Sequence, residues 1–401
     1  MTKSYSNVYE ELYTYAKTLP VINTHSHHMT SIDQTYNLDT ILRSSYVNWC
    51  GVSFGDTSES RRQFLEIVRF NSYFVWLEKG IMDIYDLDEP ITEENWEKVS
   101  DIINKANQND KYHLKILKER CRYEKILLDA YWNPGSNNNS DLFARVFRTD
   151  MFFHGYSSGL TDHNSNSPEK YIGSGIKDID EYIARMRDAI TIKKNEGCIA
   201  LKSAIAYERS LDFNEVPKEK AQYAMTCKKD DLTKDDIKAF GDYVFFNICR
   251  IAAELDLPMQ CHVGLGRLKD TNPMQMWEVI HKNPDTRFVL FHGGYPWTDE
   301  VLGLAHNCRN VYPDICWLPL ISTSAAEKML IELIEVSTID KICWGCDTWT
   351  SEESAGALLA MEHVLASALS KKIAEGYLSV DLAKAIIKNI LYKNAKLIYN
   401  L

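Results

Sequence analysis

Two histidines one residue apart close a short apolar run near the start of the chain, Pro20-Val-Ile-Asn-Thr-His25 followed by Ser26 and His27. If that run is a strand, its side chains alternate with a period of two, so His25 and His27 project from the same face and His28 from the other. Two imidazoles on one face can share a divalent cation. A pair of hydrogen-bonded strand-end histidines would look the same in sequence, and three more positions weigh between the two readings. Apolar runs also end in His262 (Pro258-Met-Gln-Cys-His262) and in His292 (Phe288-Val-Leu-Phe-His292), and another ends in Asp347 (Ile342-Cys-Trp-Gly-Cys-Asp347). Strand-end groups of metal-ligand type, taken together, favour a shared divalent cation over isolated hydrogen-bonded histidines.

Imidazole and carboxylate suit Zn²⁺ first, with Mn²⁺ or Fe²⁺ as alternatives, and a catalytic site leaves one coordination position open for water. The metal lowers the pKa of that water toward ~7, which makes hydroxide available at neutral pH. Asp347, at a strand end beside the metal, is read as the group that takes the water's proton. His292 is read as the group that orients the water or stabilises charge developing on a substrate oxygen.

These positions are useful only if the fold brings them together. From about residue 178 onward, short apolar runs bounded by Gly, Pro or Asn alternate with helix-period segments such as Asp235–Leu255 and Ala325–Val336, the pattern of βα units on a parallel sheet. Strands are expected over Cys198–Ala204, Met259–Gly264, Phe288–His292, Val311–Trp317 and Ile342–Cys346, and upstream over Pro20–His25, Tyr123–Ala130 and Leu142–Phe147. That makes eight, the number that closes a (β/α)8 TIM barrel, so the expectation is an α/β fold with one barrel domain over residues 1–401. The active site of such a barrel is built at the C-terminal ends of its strands, where all of these histidines and Asp347 would meet. Residues 30–120 are far too long for an ordinary βα loop and carry helical patterns at Arg61–Lys79, Glu93–Ala106 and Tyr112–Glu119. They read as a helical insertion after the first strand, rich in aromatics such as Tyr73, Phe74, Trp76 and Trp96. It is either a stabilising or dimer-forming appendage, or a lid or pocket wall over the barrel mouth. Two helices, Ala355–Gly376 and Ser379–Tyr399, close the chain.

Composition narrows the partners. Acidic residues outnumber basic ones 56 to 45 and no run of Lys or Arg suggests a phosphate-backbone footprint, which argues against nucleic acid. No stretch approaches the ~18 apolar residues of a membrane span. The N-terminal segment reads as an amphipathic helix without the apolar region of a signal peptide, so the ten cysteines are expected as reduced thiols in a cytoplasm. Cys343 and Cys346 form a CxxC inside an apolar run, where small buried residues are the simpler reading than a redox or zinc motif. A small-molecule substrate is the expected partner, with self-association of the chain left open.

The HxH on the first strand, the histidines on the fifth and sixth and the aspartate on the eighth resemble the amidohydrolase superfamily. Phe291-His-Gly-Gly-Tyr-Pro-Trp297 and Asn394-Ala-Lys-Leu-Ile-Tyr399 further resemble its amidohydrolase-related branch, which includes uronate isomerase and aminocarboxymuconate-semialdehyde decarboxylase. The resemblance implies metal ligands at His25, His27, His262 and Asp347, and a catalytic histidine at His292. It departs at Asn23, where many relatives have Asp. Lys202 falls near the end of the fourth strand, where binuclear relatives carry a carboxylated lysine; here it is a bridge to a second metal, a binder of a substrate carboxylate, or a strand-end salt bridge. One metal is the expectation. Tyr207, Arg209, Tyr295, Trp297 and Trp317, just beyond strand ends, are expected to shape a substrate pocket. Arg209 either clamps a carboxylate bidentately or pairs with Glu208 or a neighbour. The expected activity is hydrolysis of an amide, cyclic amide or lactone bond in a small polar substrate. Decarboxylation and uronate-type isomerisation use the same ligand set and stand as alternatives, and a barrel that binds without turnover is the non-enzymatic one.

Overall fold

The computed structural model describes residues 5–29, 35–109 and 111–401. Contacts divide the chain into two compact units, one of Met1–Ile126, Ile315–Ile334 and Trp344–Ala395, the other of Leu127–Asp314, Glu335–Cys343 and Lys396–Leu401. The fold is α/β, and seven strands form among the described residues: β1 (Val21–Ser26), β2 (Tyr123–Leu128), β3 (Phe143–Arg148), β4 (Cys198–Ser203), β5 (Met259–Cys261), β6 (Phe288–Leu290) and β7 (Val311–Pro313).

In the second unit β3 to β7 pair in chain order, all parallel, with Lys202 opposite Gln260, Cys261 opposite Leu290 and Leu290 opposite Pro313. That register puts Lys202, His262, His292 and Asp314 at the same end of neighbouring strands, as the alternation of short apolar runs and helices requires. Helix Lys234–Glu254 is one of the crossovers, and its start is fixed by a reciprocal capping box between Thr233 and Asp236. Strands β5 to β7 are each shorter than the apolar runs suggest. The chain leaves the sheet early because His292 adopts a left-handed backbone (φ 64°) and Gly264 likewise turns (φ 85°).

The expected eighth strand over Ile342–Cys346 is a correction: only Cys343 bridges, to Asp314. Beyond it the amides of the segment are committed elsewhere. Within the first unit the amide of Cys346 donates to the Asn23 side chain (3.0 Å) and that of Asp347 to the carbonyl of His25 (2.9 Å). A side-chain acceptor thus takes the place of a ladder carbonyl. Gly345 makes the approach feasible, since a Cβ there would lie 2.6 Å from the His25 amide.

The first unit holds the region expected as an insertion. The pattern at Arg61–Lys79 folds as two helices, Ser58–Val68 and Ser72–Ile84, because Asn71 accepts from the Tyr73 amide and caps the second. With Leu38–Ser44 and Trp96–Ala106 these helices enclose a core of their own, in which Phe54, Phe64, Phe74 and Trp96 are buried. Each such ring contributes about 1.5–3 kcal/mol on burial, enough to hold a subdomain of this size together. Helix Ser72–Ile84 lies against Ser351–Ala374 at two glycines: a Cβ on Gly80 would come within 2.6 Å of the Glu352 carbonyl and the Gly356 amide. No helix among the described residues is long and apolar enough to cross a membrane.

Candidate metal centre

In the first unit, Nε2 of His25 and Nε2 of His27 lie 3.2 and 3.1 Å from the same oxygen, Oδ1 of Asp347. The period-two projection from β1 therefore holds, and the two rings stand nearly perpendicular (82°). Ligand atoms held about 2.0–2.2 Å from a metal are separated from one another by roughly 3–3.5 Å in tetrahedral or octahedral geometry. The two distances to Asp347 match that spacing, the three ligand atoms lie within 4.8 Å of one another, all three residues are buried, and two imidazoles with one carboxylate are a donor set for a divalent cation. His28 faces elsewhere, buried, with its pKa pushed down to about 3 by desolvation and by His113, so it stays neutral.

The backbone around Asp347 is held from both sides. Asp347 is left-handed (φ 58°), a conformation that costs a non-glycine residue about 1–2 kcal/mol. Its amide donates to His25, and its carbonyl accepts from the Tyr46 hydroxyl at 2.8 Å. The next residues clamp β1, with His27 donating to the Thr348 carbonyl (3.0 Å). Behind Asp347, the Cys346 thiol sits among the Asn23 amide (2.8 Å) and the hydroxyls of Thr348 and Ser354, and burial pushes its pKa up. Asn23 takes up the position next to the first histidine in its own way, bridging the His25 and Cys346 amides. None of the ten cysteines is in a disulfide, and Cys343 and Cys346 are both buried, as the simpler reading of the CxxC has it.

Aromatic rings surround this side of Asp347. Trp349 stacks on His27 (5.5 Å) and meets Tyr46 edge-on, and Tyr46 stacks on Trp317 (4.5 Å) and Tyr73 (5.3 Å). Trp317, expected at a pocket wall, is 1% exposed and left-handed, so its place is in this stack. Of the insertion's aromatics, Tyr73 joins it, Trp76 donates to Thr323, and Phe74 and Trp96 fill the subdomain core.

In the second unit, His262 and His292 follow β5 and β6, with Nε2 of His292 2.9 Å from Nδ1 of His262. The other nitrogen of His262 contacts the Leu265 carbonyl, and its ring packs 4.6 Å from that of Tyr207. Lys202 is buried, its ammonium 4.1 Å above the Phe291 ring. Tyr295 and Trp297 are half-buried on either side of Pro296, ahead of helix Thr298–Asn307. Arg209 is committed to Asp242 (2.5 Å) and to the Ser210 carbonyl and lies over Phe213. That is the ion-pair reading with Asp242 as the partner. Glu208 instead accepts from His154 and His163; burial raises its pKa, but those hydrogen bonds outweigh it and hold the carboxyl at about 2.

Several residues escaped the sequence reading. Tyr46 and Glu353 gave no strand-end signal, although Thr350-Ser-Glu-Glu353 has the form of a capping box and marks Glu353 as a helix-start residue. Asp150 accepts from the Ala204 amide (2.9 Å) and from the Ser203 hydroxyl; burial pushes its pKa up to about 6 against the opposing pull of Arg148.

Comparison with known proteins bears out the amidohydrolase resemblance. Residues 230–401 match the amidohydrolase family model. Protein fluG of Emericella nidulans is 25% identical over 238 residues, which is 55% of this chain but only 27% of that protein. The fold is similar to that of a Lactobacillus casei protein described as a metal-dependent hydrolase (TM-score 0.70, 17% identity, 97% of each chain). It is similar as well to glucuronate isomerase from Caulobacter crescentus (TM-score 0.78, 14% identity, 100% of this chain and 95% of that one).

Proposed function

We propose that this chain, which carries the amidohydrolase match over residues 230–401, is a metal-dependent hydrolase acting on an amide, cyclic amide or lactone bond of a small polar substrate. The observation that carries the proposal is the convergence of His25 and His27 on one oxygen of Asp347. In this reading His25, His27 and Asp347 hold one divalent cation, Zn²⁺ before Mn²⁺ or Fe²⁺. Such a cation, when bound, lowers the pKa of a water and polarises a carbonyl oxygen.

The chain's own residues do the rest. Asp347 accepts the proton released as water adds to the carbonyl carbon, and it later returns it to the leaving nitrogen or oxygen, so that water is added across the bond. His292, hydrogen-bonded to His262, faces the oxygen on which charge develops. Lys202, Tyr207, Tyr295 and Trp297 bind substrate; a buried ammonium such as that of Lys202 favours a carboxylate on it. Arg209 and Trp317 support the site through Asp242 and Tyr46.

A uronate-type isomerase is the second reading, favoured by the fold likeness to glucuronate isomerase over the complete chain. The two separate on the fate of water. Lactones, N-acyl amino acids, uronates and aromatic carboxylates are offered in ¹⁸O-labelled water. The expected result is a substrate whose acid product carries one label from solvent. Aldose–ketose exchange without label would replace the hydrolase by the isomerase, and released CO₂ would mark a decarboxylase.

A further inference from the structure

We infer that Tyr46 and Glu353 are positioning residues that hold the metal-binding carboxylate of Asp347 in place, so that the helical segment after β1 is part of the metal centre. The inference rests on the cation site proposed above. Asp347 presents its carboxylate from a left-handed backbone, which relaxes unless neighbouring groups fix the peptide on each side. One side is fixed by β1, through the His25 carbonyl. On the other side the Tyr46 hydroxyl donates to the Asp347 carbonyl itself, next to the bond from the His27 amide to the Thr348 carbonyl.

Tyr46 is itself held. Its amide donates to Oε1 of Glu353 at 2.7 Å, and its ring is wedged against Trp317, Tyr73 and Trp349. Glu353 is 3% exposed and also accepts from the amide of Trp349, the residue stacked on His27. One buried carboxyl group thus ties together the segment that carries Tyr46 and the turn that follows Asp347. Its own position is fixed because its amide is capped by Thr350 at the start of the long helix Ser351–Ala374. A carboxylate whose only task was capping would bond its own helix start. This one reaches a residue 307 positions away in the chain. The ring stack explains how Tyr46 is packed, but it does not call for a hydroxyl aimed at a ligand's carbonyl.

The test uses Co²⁺, whose visible absorption reports ligand geometry, added to metal-stripped full-length protein. Tyr46→Phe keeps the ring and removes the hydroxyl. It is expected to weaken Co²⁺ binding by about 10–100-fold, the scale for groups that orient a metal ligand, and to change the Co²⁺ spectrum. Glu353→Leu, which removes the oxygen that accepts from the Tyr46 amide, should act in the same direction. Tyr36→Phe removes a buried hydroxyl of the same kind, bonded to Glu352, and should leave both affinity and spectrum as in the wild type. Wild-type affinity and spectrum in Tyr46→Phe would overturn this inference alone. A wild-type protein that takes up no Co²⁺ would overturn the cation site, and this inference with it.

Discussion

Asp347→Asn is expected to lower kcat by about 10²–10⁴-fold even where the variant is saturated with metal, the scale of a lost general base. Asparagine keeps the size and one oxygen of the carboxylate, so the contacts of Asp347 with His25 and His27 change little in shape. What disappears is the charge that balances the cation and the basicity that accepts water's proton. The loss should appear equally in kcat and kcat/KM, because a group that acts on the reacting proton is felt in the transition state and little in substrate binding. A fall in metal retention is expected beside it, since an amide oxygen is a weaker ligand than a carboxylate. A variant that holds metal and turns over within about threefold of the wild type would remove Asp347 from the proton path.

His292→Asn should behave differently. Its imidazole approaches His262, and it is not among the ligands that the family resemblance implies; an extra protein ligand would occupy the position that water needs. The expected result is near-normal metal content with kcat lower by roughly 10²-fold or more, the scale of a lost acid–base or oxyanion contact. The backbone bears on the choice of variant: His292 is left-handed (φ 64°) and is followed by two glycines that are left-handed as well. Asparagine tolerates that conformation better than most residues, so the variant reports the lost imidazole more than a distorted turn. Loss of the metal from His292→Asn would make His292 a ligand and remove it from the role of orienting water or stabilising charge on the substrate oxygen.

Much of the placement of the candidate residues was legible because it depends on short-range rules. The alternation of a strand predicts that His25 and His27 share a face, and they do. Apolar runs that end in His262 and His292, with Lys202 near the end of the run before them, predict neighbouring strand ends, and β4 to β6 supply them in register. The limits also have physical causes. Ile342–Cys346 has the composition of a strand, but whether a ladder forms depends on whose acceptor its amides meet, and Asn23 lies 323 residues away. The helix expected from Arg61 to Lys79 is apolar with the right period throughout, yet Asn71 offers a cap, and the cap starts a new helix. Arg209 stood open between a substrate clamp and an ion pair because its partner Asp242 lies 33 residues on, on helix Lys234–Glu254. Tyr46 lies in a segment whose pattern says only that it is helical and aromatic. Its hydroxyl gains significance only once the Asp347 carbonyl is seen beside it.

The most direct measurement of the central claim is the metal content of the purified protein and of the His25→Ala/His27→Ala double variant, by elemental analysis after exhaustive dialysis. Removing both imidazoles leaves Asp347 without the neighbours that make a chelating set in the first unit. The wild type should carry close to one divalent metal per chain and the folded double variant almost none. Full metal content in the double variant would contradict the site itself, and two metals in the wild type, one of them lost in Lys202→Ala, would contradict the single-metal assignment.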